Sequence, residues 1–225
     1  MPLQVSRIRA ILFDVDGTLS DTDDLFTQNL EPILRPFRFL FRDQDPRRLT
    51  RRFVMWSEAP ANFLIGIPDT LGLDDKIAAV MERLNRRRSR IKKNFLLISG
   101  VKEMLQVLSA RYPLGIVSVR DESSTRLFLD RFGLAPFFQV IVTGQTTGHT
   151  KPYPDPIFYA AERVGVPAEA CLMVGDTTVD IRAGKAAGAQ TIGVLCGFGE
   201  EDELRRCGAD MILATTCDLV QVLEN

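Results

Sequence analysis

The chain has 225 residues, of which 45% are hydrophobic and 25% are charged, and its formal net charge is -1. This length suits one large domain or a core domain with a smaller insert, and the balance is that of a folded globular protein. The near-neutral charge argues against binding to nucleic acid or to an anionic membrane surface. No run of about 18 apolar residues is present that would span a bilayer.

Short apolar runs rich in Val, Ile and Leu predict strands, and helical spacing of apolar residues predicts helices between the later strands. In chain order we predict strand Ile8–Phe13, strand Leu114–Val119, helix Glu122–Phe132, strand Val140–Thr143, helix Pro156–Val164, strand Cys171–Gly175, helix Thr178–Ala187, strand Thr191–Leu195 and strand Met211–Leu213. Strands that alternate with helices indicate an α/β fold with a Rossmann-like, mainly parallel sheet. The continuous apolar runs indicate that this sheet is covered on both faces.

One long interval breaks this alternation. Residues 20–95 contain no strand pattern, and apolar residues such as Ile77, Val80 and Leu84 follow helical spacing. We therefore predict a core domain formed by residues 1–19 and 96–225, with an inserted α-helical cap subdomain at residues 20–95. The insert contains 15 Lys and Arg against 11 Asp and Glu, whereas the rest of the chain contains 13 against 18. A basic cap over an acidic core would favour an anionic substrate.

The strongest local signal is a pair of carboxylates at the end of the first predicted strand. Asp14 and Asp16 follow an apolar run and lead into a glycine turn. Ligands of open α/β sheets bind at this end of the strands. A calcium loop of the EF-hand type is the alternative, but Leu19 and Leu25 stand where that loop needs Gly and Glu. Two acids so close together repel one another without a cation, and this favours a metal site.

A second acidic cluster follows the strand Cys171–Gly175. Asp176 comes directly after the strand, and Asp180 lies four residues further on in the first helical turn. Acids at a helix N-terminus also stabilise the helix dipole, and capping would account for one of them. Capping gives no reason for both acids to face one crevice, so we predict that they contribute to the same metal site.

Two further residues have suitable chemistry for holding a phosphoryl group. Ser118 lies at the end of the second predicted strand, and Lys151 precedes Pro152 in a proline-rich segment that leads into a helix. A hydroxyl and an ammonium group would offset the negative charge of a carboxylate nucleophile and a phosphoryl group.

Together these residues resemble the motifs of the haloacid dehalogenase superfamily. The motifs occur in order as Asp14-x-Asp16-Gly17-Thr18, Ser118, Lys151-Pro152 and Gly175-Asp176-x-x-x-Asp180. The resemblance covers nearly the whole chain and is greatest to the phosphoglycolate-phosphatase-like branch with a helical cap.

The resemblance implies a role for each acid. Asp14 would attack phosphorus and also bind Mg²⁺, while Asp16 would protonate the leaving alcohol, activate the hydrolytic water and bind the ion through its carbonyl oxygen. Asp176 would bind the ion, and Asp180 would order its water shell. A cation between an anionic ester and a carboxylate nucleophile reduces their repulsion.

The resemblance also assigns phosphate binding to Thr18, Ser118 and Lys151. The chain departs from the family pattern at Val119, where many relatives have Asn. Arg120 would compensate for that loss, although an exposed loop side chain is the simpler interpretation of this residue.

The sequence therefore predicts a magnesium-dependent phosphatase that hydrolyses a small phosphomonoester through an aspartyl-phosphate intermediate on Asp14. A sugar phosphomutase of the same superfamily and a receiver-like phospho-aspartate switch remain as alternatives. The predicted partner is a small phosphorylated metabolite, with no nucleic acid and no membrane, and the predicted state is a monomer or homodimer. The four cysteines lack CxxC spacing, and the chain start lacks a signal-peptide pattern. Both observations favour reduced thiols and a cytoplasmic location.

Overall fold

The computed structural model describes residues 3–21 and 95–224. The strands of the described part are β1 Ala10–Phe13, β2 Leu114–Val117, β3 Val140–Val142, β4 Cys171–Gly175, β5 Gln190–Val194 and β6 Met211–Leu213. The helices are α1 Val101–Ser109, α2 Glu122–Phe132, α3 Asp155–Val164, α4 Thr178–Ala186, α5 Glu201–Arg206 and α6 Leu219–Glu224. Short 3-10 helices occur at Val5–Arg7, Ala135–Phe137, Ala168–Ala170 and Thr216–Asp218.

The strands form one sheet in the order β3-β2-β1-β4-β5-β6, and every neighbouring pair in it is parallel. The chain builds outward from β1 on one side through β2 and β3, and then returns to the other side through β4, β5 and β6. The strand order thus reverses between β1 and β4. In open α/β sheets the crevice beyond the carboxyl ends of the strands at such a switch point is the usual ligand site.

The central strand β1 is buried on both sides. Ala10, Ile11, Leu12 and Phe13 are all fully inaccessible to solvent. Ala10 and Leu12 share a core cluster with residues of α3 and α4. Because alternate side chains point to opposite faces of a strand, Ile11 and Phe13 are buried on the other face. The sheet is therefore covered on both faces, as its continuous apolar runs predict.

The structure confirms the predicted α/β fold and its parallel sheet. Strands β4 and β6 and helix α2 have the predicted bounds, and the other predicted elements differ at their ends by one or two residues. Helices α1, α5 and α6 are absent from the sequence-based prediction. A detectable signal for α1 exists, since Val101, Met104, Leu105 and Leu108 are buried along one helical face.

The chain divides into two compact units, one comprising Met1–Asp24 with Leu96–Asn225 and the other comprising Leu25–Phe95. The predicted helical cap at residues 20–95 lies almost entirely outside the described residues, so it stays a prediction. All four cysteines are free thiols, as expected from their spacing. Among the described residues, none of the helices is long and apolar enough to cross a membrane.

Candidate active site

The loop after β1 holds Asp14 and Asp16 at the carboxyl edge of the sheet. The Asp14 N–H donates to the Val174 carbonyl at 2.9 Å, so this residue is still attached to β4 just beyond the end of β1. The loop then turns at Gly17, whose φ of 68° lies in the left-handed region, and the Gly17 N–H donates to the Ser20 carbonyl at 2.9 Å. Asp14 is therefore fixed by the sheet, whereas Asp16 lies on the turn itself.

Lys151 joins two of the predicted site acids. Its Nζ atom donates to Asp14 Oδ1 at 2.7 Å and to Asp180 Oδ1 at 2.5 Å. All three side chains are almost completely buried. A buried lysine is stable only with such partners, because burial without them disfavours the charged form. The structure thus brings together three residues that lie in separate parts of the sequence.

Asp14, Asp176 and Asp180 form a cluster suited to a metal ion. One carboxylate oxygen from each lies within 4.8 Å of the others, and all three residues are buried. Lys151 supplies one positive charge to this cluster, so three ionised carboxylates would leave a net charge of about -2 in a buried site. Hard divalent cations prefer such carboxylate oxygens. Both the donor set and its charge therefore fit a single divalent cation.

Asp180 has two structural partners besides its place in the cluster. Its Oδ2 atom accepts hydrogen bonds from the Thr177 N–H at 3.0 Å and the Thr177 hydroxyl at 2.7 Å. Asp180 therefore caps α4, and its other oxygen contacts Lys151. The two interpretations of this acid from the sequence, capping and site formation, are compatible because each uses a different carboxylate oxygen.

Burial raises the pKa of Asp14 to about 7, and this effect exceeds the opposing influence of Lys151. Repulsion from the neighbouring acids Asp180 and Asp16 contributes to this rise in the pKa of Asp14. For Lys151, burial opposes the charged form, but Asp14 and Asp180 outweigh burial and hold the pKa above its ordinary value. A cation in the cluster would favour the ionised form of Asp14, which is the form a nucleophile needs.

The structure corrects the expectation that Arg120 is an exposed loop side chain. Only 16% of its side chain is accessible, and its guanidinium pairs with both carboxylate oxygens of Asp16. The Arg120 N–H also donates to Ser118 Oγ at 3.2 Å. Sequence spacing gave no sign of this pairing, because 104 residues separate Asp16 from Arg120.

Ser118 and Thr18, the two predicted phosphate-binding hydroxyls, have different surroundings. Ser118 follows β2 directly, is buried, and donates its N–H to the Val142 carbonyl at 2.9 Å. Thr18 is fully buried, and its carbonyl accepts from the Thr216 hydroxyl at 2.6 Å. The Thr18 hydroxyl has no hydrogen-bond partner within the described part of the chain. The structure therefore places Ser118 beside the backbone of Arg120, whereas the Thr18 hydroxyl forms no hydrogen bond to the described site residues.

A glycine-containing loop after β5 fixes Asp176, and sequence reasoning missed it. The Phe198 N–H donates to Asp176 Oδ2 at 2.8 Å. A Cβ atom on Gly197 would lie 2.2 Å from the same oxygen, and a Cβ on Gly17 would lie equally close. Only glycine allows both loops to approach this carboxylate. The available signal was a pair of glycines, Gly197 and Gly199, within four residues of the end of the predicted strand Thr191–Leu195.

An open parallel sheet with buried carboxylates and a buried lysine at its switch point defines a Rossmann-like α/β enzyme with an acidic active site. The chain belongs to the haloacid dehalogenase-like hydrolase family, whose profile matches residues 11–194. This membership confirms the resemblance found in the sequence motifs, and the chain is a hydrolase.

Similar proteins cover nearly the whole chain. Pyrophosphatase PpaX of Bacillus pumilus is 30% identical over 222 residues, which are 97% of this chain and 97% of that protein. Phosphoglycolate phosphatase of Escherichia coli K12 is 27% identical over 233 residues, covering 96% of this chain and 92% of that protein.

Solved structures show the same fold. CbbY of Rhodobacter sphaeroides, determined in complex with phosphate, has a TM-score of 0.66 at 25% identity and covers 97% of this chain and 100% of that one. A haloacid dehalogenase-like family hydrolase of Streptococcus pneumoniae has a TM-score of 0.68 at 23% identity, covering 96% of this chain and 99% of that one.

Proposed function

We propose that this protein is a magnesium-dependent phosphatase that hydrolyses a small phosphomonoester through a phosphorylated Asp14. The observation that carries the proposal is the position of Asp14, which contacts Lys151 and shares a buried cluster with Asp176 and Asp180. A carboxylate held between an ammonium group and a cation site can approach an anionic ester that would otherwise repel it.

The reaction has two steps. The Asp14 carboxylate attacks phosphorus, the bond between phosphorus and the ester oxygen breaks, and Asp16 donates a proton to the departing oxygen. Water then attacks the same phosphorus, Asp16 takes a proton from that water, and the bond between phosphorus and the Asp14 oxygen breaks. The products are an alcohol and inorganic phosphate, and Asp14 and Asp16 return to their initial forms.

The other residues hold the reacting groups. Asp14, Asp176 and the carbonyl oxygen of Asp16 would hold Mg²⁺, Asp180 would order its water shell, and the ion would supply positive charge to the phosphoryl oxygens. Lys151 offsets the negative charge that gathers on Asp14 and the transferred phosphoryl group. Ser118 and Thr18 are the proposed hydroxyl contacts to that group. Positioning and charge stabilisation of this kind provide most of the catalysis in phosphoryl transfer.

The names of the relatives support the substrate class. Phosphoglycolate phosphatase is named for a small phosphomonoester, and pyrophosphatase is named for a small phosphoanhydride. Membership in a hydrolase family favours an enzyme over the receiver-like switch. The cytoplasmic location and the monomeric or homodimeric state stay predictions from the sequence.

A direct test compares Asp14→Asn with the matched control Asp155→Asn. Asp155 is an exposed acid that pairs with His149 at 3.1 Å and lies outside the proposed site. Phosphate release from a panel of small esters should require Mg²⁺, should vanish in Asp14→Asn, and should persist in Asp155→Asn. Substantial turnover by folded Asp14→Asn, or full activity of the wild-type protein after exhaustive chelation, would refute the proposed reaction.

A further inference from the structure

We propose that Arg120 recognises a second anionic group of the substrate, located next to the ester oxygen, and that Asp16 occupies the Arg120 guanidinium in the absence of substrate. This inference rests on the proposed function, because it takes Asp16 as the acid that serves the leaving oxygen. It adds a specificity residue and a substrate feature to that function.

The contact between Arg120 and Asp16 has the geometry of anion recognition. Arg120 Nε donates to Asp16 Oδ2 at 2.5 Å, and Nη2 donates to Asp16 Oδ1. Two parallel N–H groups on a rigid plane match the two oxygens of a carboxylate, and they match two phosphate oxygens equally well. The same guanidinium can therefore bind a carboxylate or a phosphoryl group of a substrate.

Arg120 is held both at its backbone and at its guanidinium. The Arg120 backbone N–H donates to Ser118 Oγ at 3.2 Å, and the guanidinium Cζ atom lies 5.7 Å from the centre of the Phe128 ring on α2. The support by Ser118 ties Arg120 to the turn that follows β2, where the phosphoryl group is expected to bind. A guanidinium that packs on an aromatic ring, and whose backbone is tied to this turn, is prepared for recognition with little loss of side-chain entropy.

The pair lies where exchange with a ligand is feasible. The Arg120 and Asp16 side chains are 16% and 25% exposed, whereas Lys151 and Asp180 are 2% and 0% exposed. An ion pair that still contacts solvent can exchange one partner at far lower cost than a completely buried one. Of the ion pairs that the described residues form at the acidic site, the Arg120–Asp16 pair is therefore the one suited to open.

The position of Asp16 determines which substrate group reaches Arg120. To donate a proton, the Asp16 carboxyl group must come within hydrogen-bond distance of the ester oxygen. A carboxylate or second phosphoryl group one or two bonds from that oxygen then lies beside the guanidinium that holds Asp16. The substrate anion takes the N–H groups of Arg120, and the released Asp16 carboxylate takes up a proton from solvent and turns to the ester oxygen, to which it donates that proton. A neutral substrate lacks the anion that replaces Asp16.

The test compares substrates that have this second anionic group with substrates that lack it. Phosphoglycolate and its neutral amide are one matched pair, and pyrophosphate and methyl phosphate extend the comparison to a second phosphoryl group. Arg120→Met should lower kcat/KM for phosphoglycolate by about 10- to 100-fold, the loss expected for charge-assisted hydrogen bonds. In the same variant, kcat/KM for the amide should fall by less than about threefold. Arg120→Lys keeps the charge without the planar fork and should retain more of the selectivity than Arg120→Met.

Arg126→Met is the control variant, because Arg126 forms an exposed pair with Glu122 at 2.8 Å on α2. Arg126→Met should leave kcat/KM unchanged for both classes of substrate. Equal losses for phosphoglycolate and its amide in Arg120→Met would show that Arg120 acts only through Asp16, and no loss would show that it is dispensable. Either result would overturn the proposal. A loss of kcat/KM confined to phosphoglycolate would support the proposal and identify the anion as a carboxylate. A loss confined to pyrophosphate would support it and identify the anion as a phosphoryl group.

A binding measurement separates this inference from the proposed reaction. In an Asp14→Asn background, calorimetry should show tighter binding of phosphoglycolate than of its amide, and Arg120→Met should remove the difference. If the wild-type protein hydrolyses no ester while this difference exists, the proposed reaction fails and the role of Arg120 stands. If the wild-type protein hydrolyses both substrates and the difference is absent, the reaction stands and the role of Arg120 is refuted.

Discussion

Replacing Lys151 with Met should destabilise the metal-free protein strongly, and added Mg²⁺ should restore part of the loss. Lys151 Nζ lies 2.7 Å from Asp14 Oδ1 and 2.5 Å from Asp180 Oδ1, and these side chains are almost completely buried. Removing one partner of a buried ion pair costs about 3–5 kcal/mol, because the remaining charge has lost its compensation. For a chain of this length, such a loss lowers Tm by roughly 6–20 °C.

The loss should depend on pH in a definite direction. The folded-state pKa of Asp14 is raised by burial to about 7, above its value in the unfolded chain, so Asp14 binds a proton more tightly when folded. Its contribution to stability is fully present below the unfolded pKa and is lost as pH rises through about 7. Removing Lys151 takes away the main influence that lowers this pKa. The destabilisation should therefore be smaller at pH 6, where Asp14 is protonated in both proteins, than at pH 8.

The assay is denaturant or thermal unfolding of wild type, Lys151→Met and Arg126→Met, in chelator and in excess Mg²⁺. Arg126→Met removes an exposed charge and should stay within about 0.5 kcal/mol of wild type. A divalent cation replaces the missing positive charge beside Asp14 and Asp180, so Mg²⁺ should raise the Tm of Lys151→Met more than that of wild type. A loss below about 1 kcal/mol at pH 8, or an equal response to Mg²⁺ in both proteins, would refute this reasoning.

Two further predictions concern the metal site. Gly197→Ala should weaken Mg²⁺ binding at least about tenfold, because the new Cβ would lie 2.2 Å from Asp176 Oδ2. The control Gly148→Ala should bind Mg²⁺ normally, because a Cβ there has no atom within 4 Å. Equal Mg²⁺ affinities of the two variants by calorimetry would contradict the role of the Gly197 loop. Since the pKa of Asp14 is about 7 without metal, Mg²⁺ binding should release close to one proton at pH 6 and almost none at pH 8.5. Calorimetry in two buffers of different ionisation enthalpy measures this release, and a release that is the same at both pH values would contradict the pKa of Asp14.

The fold and the acids of the site could be predicted because their signals are local. The apolar run before Asp14 is a strand buried on both faces, and the run before Asp176 is its parallel neighbour. Since parallel strands end at one edge of the sheet, two acids that each follow such a strand must lie close together. Lys151 was a candidate by its chemistry, but its direction could not be predicted, because a proline-rich loop has no periodicity that fixes it.

The parts that could not be predicted depend on contacts between distant loops. The pairing of Arg120 with Asp16 requires the turn after β2 to face the turn after β1, and neither turn has a pattern that fixes side-chain direction. The approach of Gly197 to Asp176 likewise depends on how the loop after β5 folds back. The predicted cap at residues 20–95 lies almost entirely outside the described residues and stays a prediction.

The most direct test of the proposed function is chemical trapping of the phosphorylated residue. Asp16→Asn should slow the second step more than the first for a substrate with a good leaving group, because such a group needs little protonation while the attacking water still needs a base. Acid quenching of this variant during turnover, followed by borohydride reduction and peptide mass spectrometry, should convert residue 14 to homoserine. The conversion should require both substrate and Mg²⁺ and should be absent in a variant that also carries Asp14→Asn. Conversion at another carboxylate, or turnover with no conversion at residue 14, would contradict an aspartyl-phosphate on Asp14.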